Sequence, residues 1–162
     1  MIGFQLQDEA ATRGLAARLA ATAPVPAVVY LHGDLGSGKS TLARAWLRAL
    51  GVSGTVRSPT YTLVERYPLA SGGEALHLDL YRIGAPGELE YLGLDEGGAA
   101  LWLVEWPDRG AGALPTPDLH LRLSMEGEGR VAQLVAESEA GEAWLRRLTE
   151  MDGLRPIPEP NP

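Results

Sequence analysis

The sequence has no cysteine, only one lysine and only one phenylalanine among its 162 residues. Without cysteine, disulfide bonds, zinc–thiolate sites and thiol nucleophiles are excluded, and a reducing compartment fits this composition. No apolar run approaches the roughly 20 residues that a membrane-spanning helix needs. The first residues also lack the pattern of a signal peptide. We therefore expect a cytoplasmic protein with no membrane partner.

Positive charge is also scarce. The 14 lysine and arginine residues are outnumbered by 21 aspartate and glutamate residues, which gives a net charge of −7. Tight binding to nucleic acid by the chain alone requires a basic surface, so this composition argues against it. If nucleic acid is involved, we expect a partner protein to hold it.

One stretch matches the phosphate-binding-loop pattern G-x-x-x-x-G-K-[ST]. Its glycines let successive backbone N–H groups point at a polyphosphate. Lys39, the only lysine, offers a compact charge to the β- and γ-phosphates, and Ser40 offers a hydroxyl to Mg²⁺. The predicted nucleotide-binding residues of the loop are Gly33, Asp34, Leu35, Gly36, Ser37, Gly38, Lys39, Ser40 and Thr41.

The flanks of this loop have the pattern that a true phosphate site needs. An apolar, β-branched run from Val25 to Leu31 precedes it and predicts a buried strand. After it, apolar residues recur at helical spacing up to Gly51, a typical residue just beyond a helix end. A strand, a glycine loop and a helix in this order predict a nucleoside triphosphate site.

Two carboxylates stand at the ends of apolar runs. Asp79 lies near the end of the alternating run 75–81, and Glu105 directly follows the nearly continuous apolar run 99–104. Aspartate is disfavoured in strands, and a buried carboxylate needs a cation or a metal or must be neutral. Asp79, Glu105 and Lys39 are thus the candidate catalytic residues, although Asp79 also fits a solubilising charge on an edge strand. His77 fits a packed or edge histidine.

A hydroxyl-rich segment follows the predicted nucleotide-binding unit. Ser58, Thr60 and Thr62 surround a rigid proline, Pro59, and a strand is predicted from Tyr61 to Tyr67. Such a segment fits a switch that senses the nucleotide, and it equally fits an ordinary strand entry. The switch-like residues are Ser58, Pro59, Thr60, Tyr61 and Thr62.

The whole pattern predicts an α/β, single-domain P-loop NTPase-like fold. A mixed central sheet is flanked by helices, with a β-hairpin around residues 126–129 and a helix at Glu139–Met151 near the C-terminal end. Asp8 is expected to cap a helix at Glu9–Thr22. We assign residues 1–152 to the P-loop ATPase domain and 153–162 to a disordered proline-rich tail.

Four sequence blocks carry a family resemblance. They are Gly-Asp-Leu-Gly-Ser-Gly-Lys-Ser-Thr at 33–41, Ser-Pro-Thr-Tyr-Thr-Leu-Val-Glu at 58–65, His-Leu-Asp-Leu-Tyr-Arg at 77–82 and Leu-Val-Glu-Trp-Pro at 103–107. With Glu-Leu-Glu-Tyr-Leu-Gly-Leu at 88–94, they resemble the TsaE (YjeE) family of bacterial ATPases over most of residues 4–150. Ser40 stands where the family usually has threonine, which keeps the hydroxyl.

The resemblance implies a role in making threonylcarbamoyladenosine, the modified nucleoside beside the anticodon of certain tRNAs. A TsaE-like protein acts on a TsaB–TsaD complex, and its ATP hydrolysis resets that complex between turnovers. ATP and Mg²⁺ are the implied cofactors, and tRNA is reached only through the complex. By this resemblance Lys39 binds phosphates, Ser40 and Glu105 hold Mg²⁺, and Thr41 contacts the nucleotide. Asp79 assists hydrolysis or orients the metal-bound water. The segment Ser58–Thr62 senses the γ-phosphate, and Glu9 and Arg130 approach the nucleotide.

Two other functions stay open from the residues alone. A small P-loop kinase of a nucleoside or another small molecule would share the loop, but it needs an arginine-bearing lid. The segment Arg109–Gly112 is short and carries one arginine. A nucleotide-gated assembly module with incidental hydrolysis is the other alternative. Because no arginine in the sequence is evidently placed to complete the phosphate site, we expect slow hydrolysis by the chain alone.

Overall fold

The computed structural model describes residues 1–94 and 98–151, so the predicted tail at 153–162 lies outside the described residues. Strands and helices alternate along most of the chain. The strands are β1 (Ile2–Leu6), β2 (Ala27–His32), β3 (Val64–Pro68), β4 (Glu74–Asp79), β5 (Ala99–Glu105), β6 (Leu119–Glu126) and β7 (Gly129–Ala136). The α-helices are α1 (Glu9–Thr22), α2 (Lys39–Ala49) and α3 (Glu139–Thr149), and 3-10 helices occupy Pro86–Leu92 and Pro107–Gly110.

All seven strands form one mixed sheet in the order β1-β7-β6-β2-β5-β4-β3. The central pairs β2–β6, β2–β5 and β4–β5 are parallel, and the outer pairs β1–β7, β6–β7 and β3–β4 are antiparallel. Parallel strands need crossover connections, which place helices between them. This arrangement confirms the predicted α/β fold with its mixed sheet, C-terminal hairpin and final helix.

The core is divided by the sheet into two clusters. The larger one joins one sheet face to all three α-helices, and Trp46 of α2 meets Trp144 of α3 edge to face with 5.7 Å between ring centroids. The smaller one lies on the other face of β4 and β5, where Leu76, Leu78 and Val104 pack against residues of the first 3-10 helix and its flanks. The α-helices therefore share one face, and short turns cover the strands next to the site on the other.

One aspartate ties three elements together. The Asp118 carboxylate accepts hydrogen bonds from the Val28 N–H (2.8 Å) and from the Ser138 hydroxyl (2.7 Å). Ser138 is the N-cap of α3, and its hydroxyl also accepts from the Gly141 N–H at 2.9 Å. Asp118 thus fixes the starts of β2, β6 and α3 relative to one another, as capping residues do within a single helix.

Several element boundaries differ from the prediction. The strand predicted at 61–67 begins at Val64, because Leu63 adopts a left-handed backbone (φ 68°) and its N–H pairs with the Pro59 carbonyl in a turn. The final helix, α3, ends at Thr149 rather than at the predicted Met151. Within the described residues, no helix combines the length and the apolar character needed to cross a membrane.

We expect Gly141→Ala to destabilise the fold. A Cβ at Gly141 would lie 2.1 Å from the Asp118 carbonyl oxygen, so α3 would have to shift away from β6. Overpacking of this kind costs about 1–3 kcal/mol. Urea unfolding should show the loss, whereas Gly87→Ala, where an added Cβ meets nothing within 4 Å, should leave the midpoint nearly unchanged. Equal midpoints for the two variants would contradict this account.

Candidate functional site

The phosphate-binding loop runs from the end of β2 to the start of α2. Gly33, Gly36 and Gly38 all have positive φ values, of 146°, 81° and 105°. Gly33 also has no room for a side chain, since a Cβ would lie 2.5 Å from the Leu123 carbonyl oxygen and 2.6 Å from Ser37 Oγ. Glycine is the residue that adopts such backbones readily, which explains its spacing in the loop.

The N-terminus of α2 opens directly onto this loop. Gly38 is the N-cap and has no side chain with which to cap the helix. The N–H groups in the first turn of a helix have no intrahelical partner, and the helix dipole adds positive charge there. The geometry therefore forms an anion-binding site of the kind that phosphates occupy.

Lys39 is held inside this site. Its side chain is buried, its Nζ donates to the Gly33 carbonyl, and Nζ lies 4.0 Å from the centroid of the Trp106 ring. Burial lowers the pKa of the Lys39 ammonium, and the nearby carboxylates of Glu105 and Asp79 oppose that shift. An ammonium deprived of water in this way gains from contact with a polyanion.

The two predicted carboxylates meet at one edge of the sheet. Asp79 and Glu105 are paired in register at the ends of the parallel strands β4 and β5, and both are buried. Ser40 Oγ lies 3.3 Å from Glu105 Oε1 and 3.4 Å from Oε2. Burial raises the pKa of the Asp79 carboxyl, while the Tyr81 N–H, 3.0 Å from Oδ1, acts in the opposite direction.

His77 is a site residue that the sequence prediction missed. Its side chain is fully buried, as expected for a packed histidine, but its Nε2 lies only 2.6 Å from Glu105 Oε2. The signal was available, because positions 77 and 79 of an alternating strand share one face. The prediction treated Asp79 as functional and overlooked that His77 points to the same side.

Arg130 reaches the loop from β7. Its Nε donates to the Ser37 carbonyl at 2.8 Å, and its Nη2 lies 3.4 Å from the Gly36 carbonyl. The guanidinium thus holds two carbonyls of the loop, which leaves the N–H groups on the opposite side of the peptide units to face a ligand. This contact gives Arg130, predicted only to approach the nucleotide, a structural role in shaping the loop.

Two of the cavities at the loop adjoin each other at Gly38, Thr41 and Arg130. One of about 200 Å³ contains Glu9 together with Thr12, Gly38, Thr41 and Arg130, so it adjoins the start of α1. The other, of about 290 Å³, lies over the loop itself. It is lined by residues 34–41, Thr60, Asp79, Tyr81, Glu105, Trp106 and Arg130. The structure thus brings the predicted loop residues after Gly33 together with both carboxylates.

The switch-like segment borders the larger cavity through Thr60. Ser58 Oγ and Thr60 Oγ1 are 2.7 Å apart, and Thr62 Oγ1 lies 2.9 Å from Glu65 Oε1. Tyr61 is 79% exposed, with Arg82 over its ring. The segment is joined to the site at its end, where the Leu63 carbonyl accepts from the N–H of Asp79 at 3.0 Å.

The oxygen donors of the site fit Mg²⁺. This ion takes one or two carboxylates and keeps its other positions for water and phosphate oxygens, so it does not need an all-protein cage. Ser40 Oγ and the Glu105 carboxylate supply hard oxygen ligands side by side. Over residues 1–94 and 98–151, no cluster of three or more His, Cys, Asp or Glu side chains forms a separate metal cage.

Comparison with known proteins gives consistent matches. Residues 6–132 match the family described as "Threonylcarbamoyl adenosine biosynthesis protein TsaE". A tRNA threonylcarbamoyladenosine biosynthesis protein TsaE from Haemophilus influenzae is 42% identical over 116 residues, which cover 70% of this chain and 73% of that protein. Its counterpart from Bacillus subtilis is 36% identical over 124 residues, covering 72% and 73%.

A solved structure agrees with these sequence matches. The crystal structure of Bacillus subtilis YdiB superposes with a TM-score of 0.76 at 26% sequence identity. The superposition covers 94% of this chain and 99% of that one. The likeness therefore extends beyond the phosphate-binding loop to the whole order of strands and helices.

We expect Arg130→Ala to weaken nucleotide binding without unfolding the protein. The loop would lose the charged donor that fixes the Ser37 carbonyl, a kind of hydrogen bond worth about 1.5–3 kcal/mol. Titration with a fluorescent ADP analogue should show an affinity lower by roughly tenfold or more. Arg44→Ala is the matched control, because it removes the same charge from an exposed position on α2. Equal losses in the two variants would mean that only net charge matters.

Proposed function

The chain belongs to the TsaE family, which takes part in tRNA threonylcarbamoyladenosine biosynthesis, and on that premise we propose that it is a Mg²⁺-dependent ATPase. In this proposal the chain acts on a TsaB–TsaD complex and allows that complex to complete repeated rounds of modification. The tRNA is bound by the complex, and the chain works in the cytoplasm. The reaction is attack of water on the γ-phosphorus of ATP, with ADP as the leaving group.

One observation carries the proposal. The phosphate-binding loop, the Ser40 hydroxyl and the carboxylates of Asp79 and Glu105 all line a single cavity. A nucleotide-binding module needs only the loop, whereas hydrolysis also needs a metal site and a group that orients water. Two buried carboxylates beside the loop hydroxyl supply both requirements.

Lys39 and the loop backbone would hold the phosphates. The ammonium, lodged between the Gly33 carbonyl and the Trp106 ring, is already desolvated and would exchange these contacts for phosphate oxygens. The N–H groups at the start of α2 would add donors to the same anion. Thr41 and Glu9, which border the adjoining cavity, would then contact the nucleoside part of ATP.

Ser40 and Glu105 would hold Mg²⁺, and Asp79 would act on water. When bound, Mg²⁺ neutralises charge on the β- and γ-phosphates. Burial raises the pKa of Asp79, which makes its carboxylate a stronger hydrogen-bond acceptor than that of an exposed aspartate. Asp79 Oδ1 already accepts from the Tyr81 N–H, so the carboxylate has a fixed orientation from which to accept a hydrogen bond from the attacking water.

The switch-like segment would sense the γ-phosphate through Thr60, which lines the same cavity. Any movement of that segment would change the position of Asp79, because the Leu63 carbonyl accepts a hydrogen bond from the Asp79 N–H. Ordering of a segment by a γ-phosphate is a known way in which nucleotide state is transmitted to a surface. The exposed ring of Tyr61 lies on this segment, where a partner would meet it.

A partner also accounts for two features of the chain. Its net charge of −7 makes it a poor tRNA ligand, and a complex that holds the tRNA removes that difficulty. The arginine that borders the cavity, Arg130, is already bonded to the loop. Stabilisation of the transition state by a further cation would then come from the partner, and the chain alone would hydrolyse ATP slowly.

We expect ATP turnover by the chain alone to be slow and to rise when a TsaB–TsaD pair and tRNA are added. Glu105→Gln should lower the stimulated rate by about 100-fold or more, because a metal ligand is lost, while ADP still binds. Lys39→Ala should abolish nucleotide binding. Glu142→Gln is the matched control, since it removes a carboxylate charge from an exposed position on α3, and it should leave turnover unchanged.

Other results would reject the proposal. If ATP turnover does not change when the TsaB–TsaD pair is added, and phosphate is transferred to an added small molecule, the protein would be a kinase. A hydrolysis-dead Glu105→Gln variant that still supports repeated rounds of modification would identify a nucleotide-gated module. Unchanged turnover in Glu105→Gln and loss of turnover in Asp79→Asn would transfer the metal role to Asp79.

A further inference from the structure

A buried imidazole stands directly behind one of the proposed metal ligands. His77 has no exposed surface, and its Nε2 lies 2.6 Å from Glu105 Oε2. The same carboxylate faces Ser40 Oγ on its other side, at 3.3 Å from Oε1. Glu105 is therefore held between a hydroxyl that would bind the metal and a histidine that is too deeply buried to touch it.

The sheet explains how this contact arises. Asp79 pairs with Glu105, and His77 pairs with Leu103. His77 therefore lies two residues before the carboxylate pair, further from the strand ends. Alternation along β4 puts His77 and Asp79 on the face that carries α2. From there the imidazole reaches diagonally to Glu105 on the neighbouring strand.

The direction of this hydrogen bond follows when Glu105 is ionised, as a metal ligand is. An ionised carboxylate only accepts hydrogen bonds, so the His77 Nε2–H group is then the donor. Nδ1 is buried and has no hydrogen-bond partner among the described residues. Nε2 is thus the ring nitrogen that holds the carboxylate, at 2.6 Å from Glu105 Oε2.

We propose that His77 is a positioning residue that fixes the orientation of the Glu105 carboxylate for Mg²⁺. The inference rests on the proposed function, because it assigns His77 a role at the metal site of that function. A hydrogen bond to Oε2 from behind orients the carboxylate, while Oε1 faces the Ser40 hydroxyl at 3.3 Å. Packing alone does not account for the residue, since the neighbouring inward positions Ala75, Leu101 and Leu103 are apolar.

The first test measures how Mg²⁺ changes the affinity for a fluorescent ADP analogue. His77→Phe keeps a buried ring and removes the donor, so we expect the apparent Mg²⁺ affinity to fall by about tenfold or more. Affinity for the analogue in EDTA should stay within roughly twofold of wild type, because the loop is untouched. His77→Gln places an amide donor near the original Nε2 and should restore Mg²⁺ affinity to within roughly threefold.

His120→Phe is the control, because β2 separates its strand, β6, from the strands of the two carboxylates, and its side-chain partners are His32 and Glu137. It should leave the Mg²⁺ dependence at the wild-type value. A wild-type Mg²⁺ dependence in His77→Phe would overturn the inference and leave the proposed function standing. If Mg²⁺ does not change the ADP affinity of the wild-type protein, both the inference on His77 and the proposed function would be overturned.

The second test needs no metal and no activity. A long-range ¹H–¹⁵N spectrum of the free protein reports the ring nitrogens of its three histidines, and His77→Gln assigns the His77 signals by their loss. We expect Glu105→Gln to shift those signals, because the His77 ring contacts that carboxylate. Unchanged His77 signals in Glu105→Gln would overturn the inference, whether or not His77→Phe folds.

Discussion

The parallel pairing of β2, β5 and β4 is the constraint on which the site depends. Parallel strands in register present their carboxyl ends at one edge, and ligands of α/β sheets bind at such edges. Here β2 delivers the phosphate-binding loop, β5 delivers Glu105 and β4 delivers Asp79. Ser40 and Glu105, which are 65 positions apart in the sequence, therefore meet because backbone pairing aligns the strand ends that carry the site.

The buried charged groups of the site lower the stability of the ligand-free protein. Burial lowers the pKa of Lys39 and raises that of Asp79, so in each case the folded environment disfavours the charged form. Trp106 adds backbone strain, since a bulky residue with φ of 57° is uncommon. A phosphate that neutralises Lys39 relieves part of this cost, and a ligand that binds only the folded protein stabilises it by mass action. Asp118 stabilises the fold elsewhere, because its hydrogen bonds link the starts of β2, β6 and α3.

Much of the fold and site could be predicted from the sequence because local signals agreed with one another. The loop glycines, the single lysine and the carboxylates at strand ends can each be explained by residues close to them in the sequence. Leu63 could not be read in the same way, because an apolar residue in an alternating run predicts extended backbone, whereas the bond from Asp79 N–H to its carbonyl favours the observed turn. His77 was underestimated because its partner lies on another strand, and only the register between β4 and β5 shows which side chain it faces.

The single lysine also decides how this protein can be handled and modified. The chain has one ε-amino group, that of Lys39 in the phosphate-binding loop. Acetylation, an amine-reactive dye or a coupling resin that targets lysine would therefore act at this residue. Lysine acetylation removes the charge, so any lysine-directed modification of this chain is a modification of its nucleotide site. The absence of cysteine offers the opposite opportunity, because a cysteine introduced on a remote surface would be the only thiol and would accept a label while the loop stays intact.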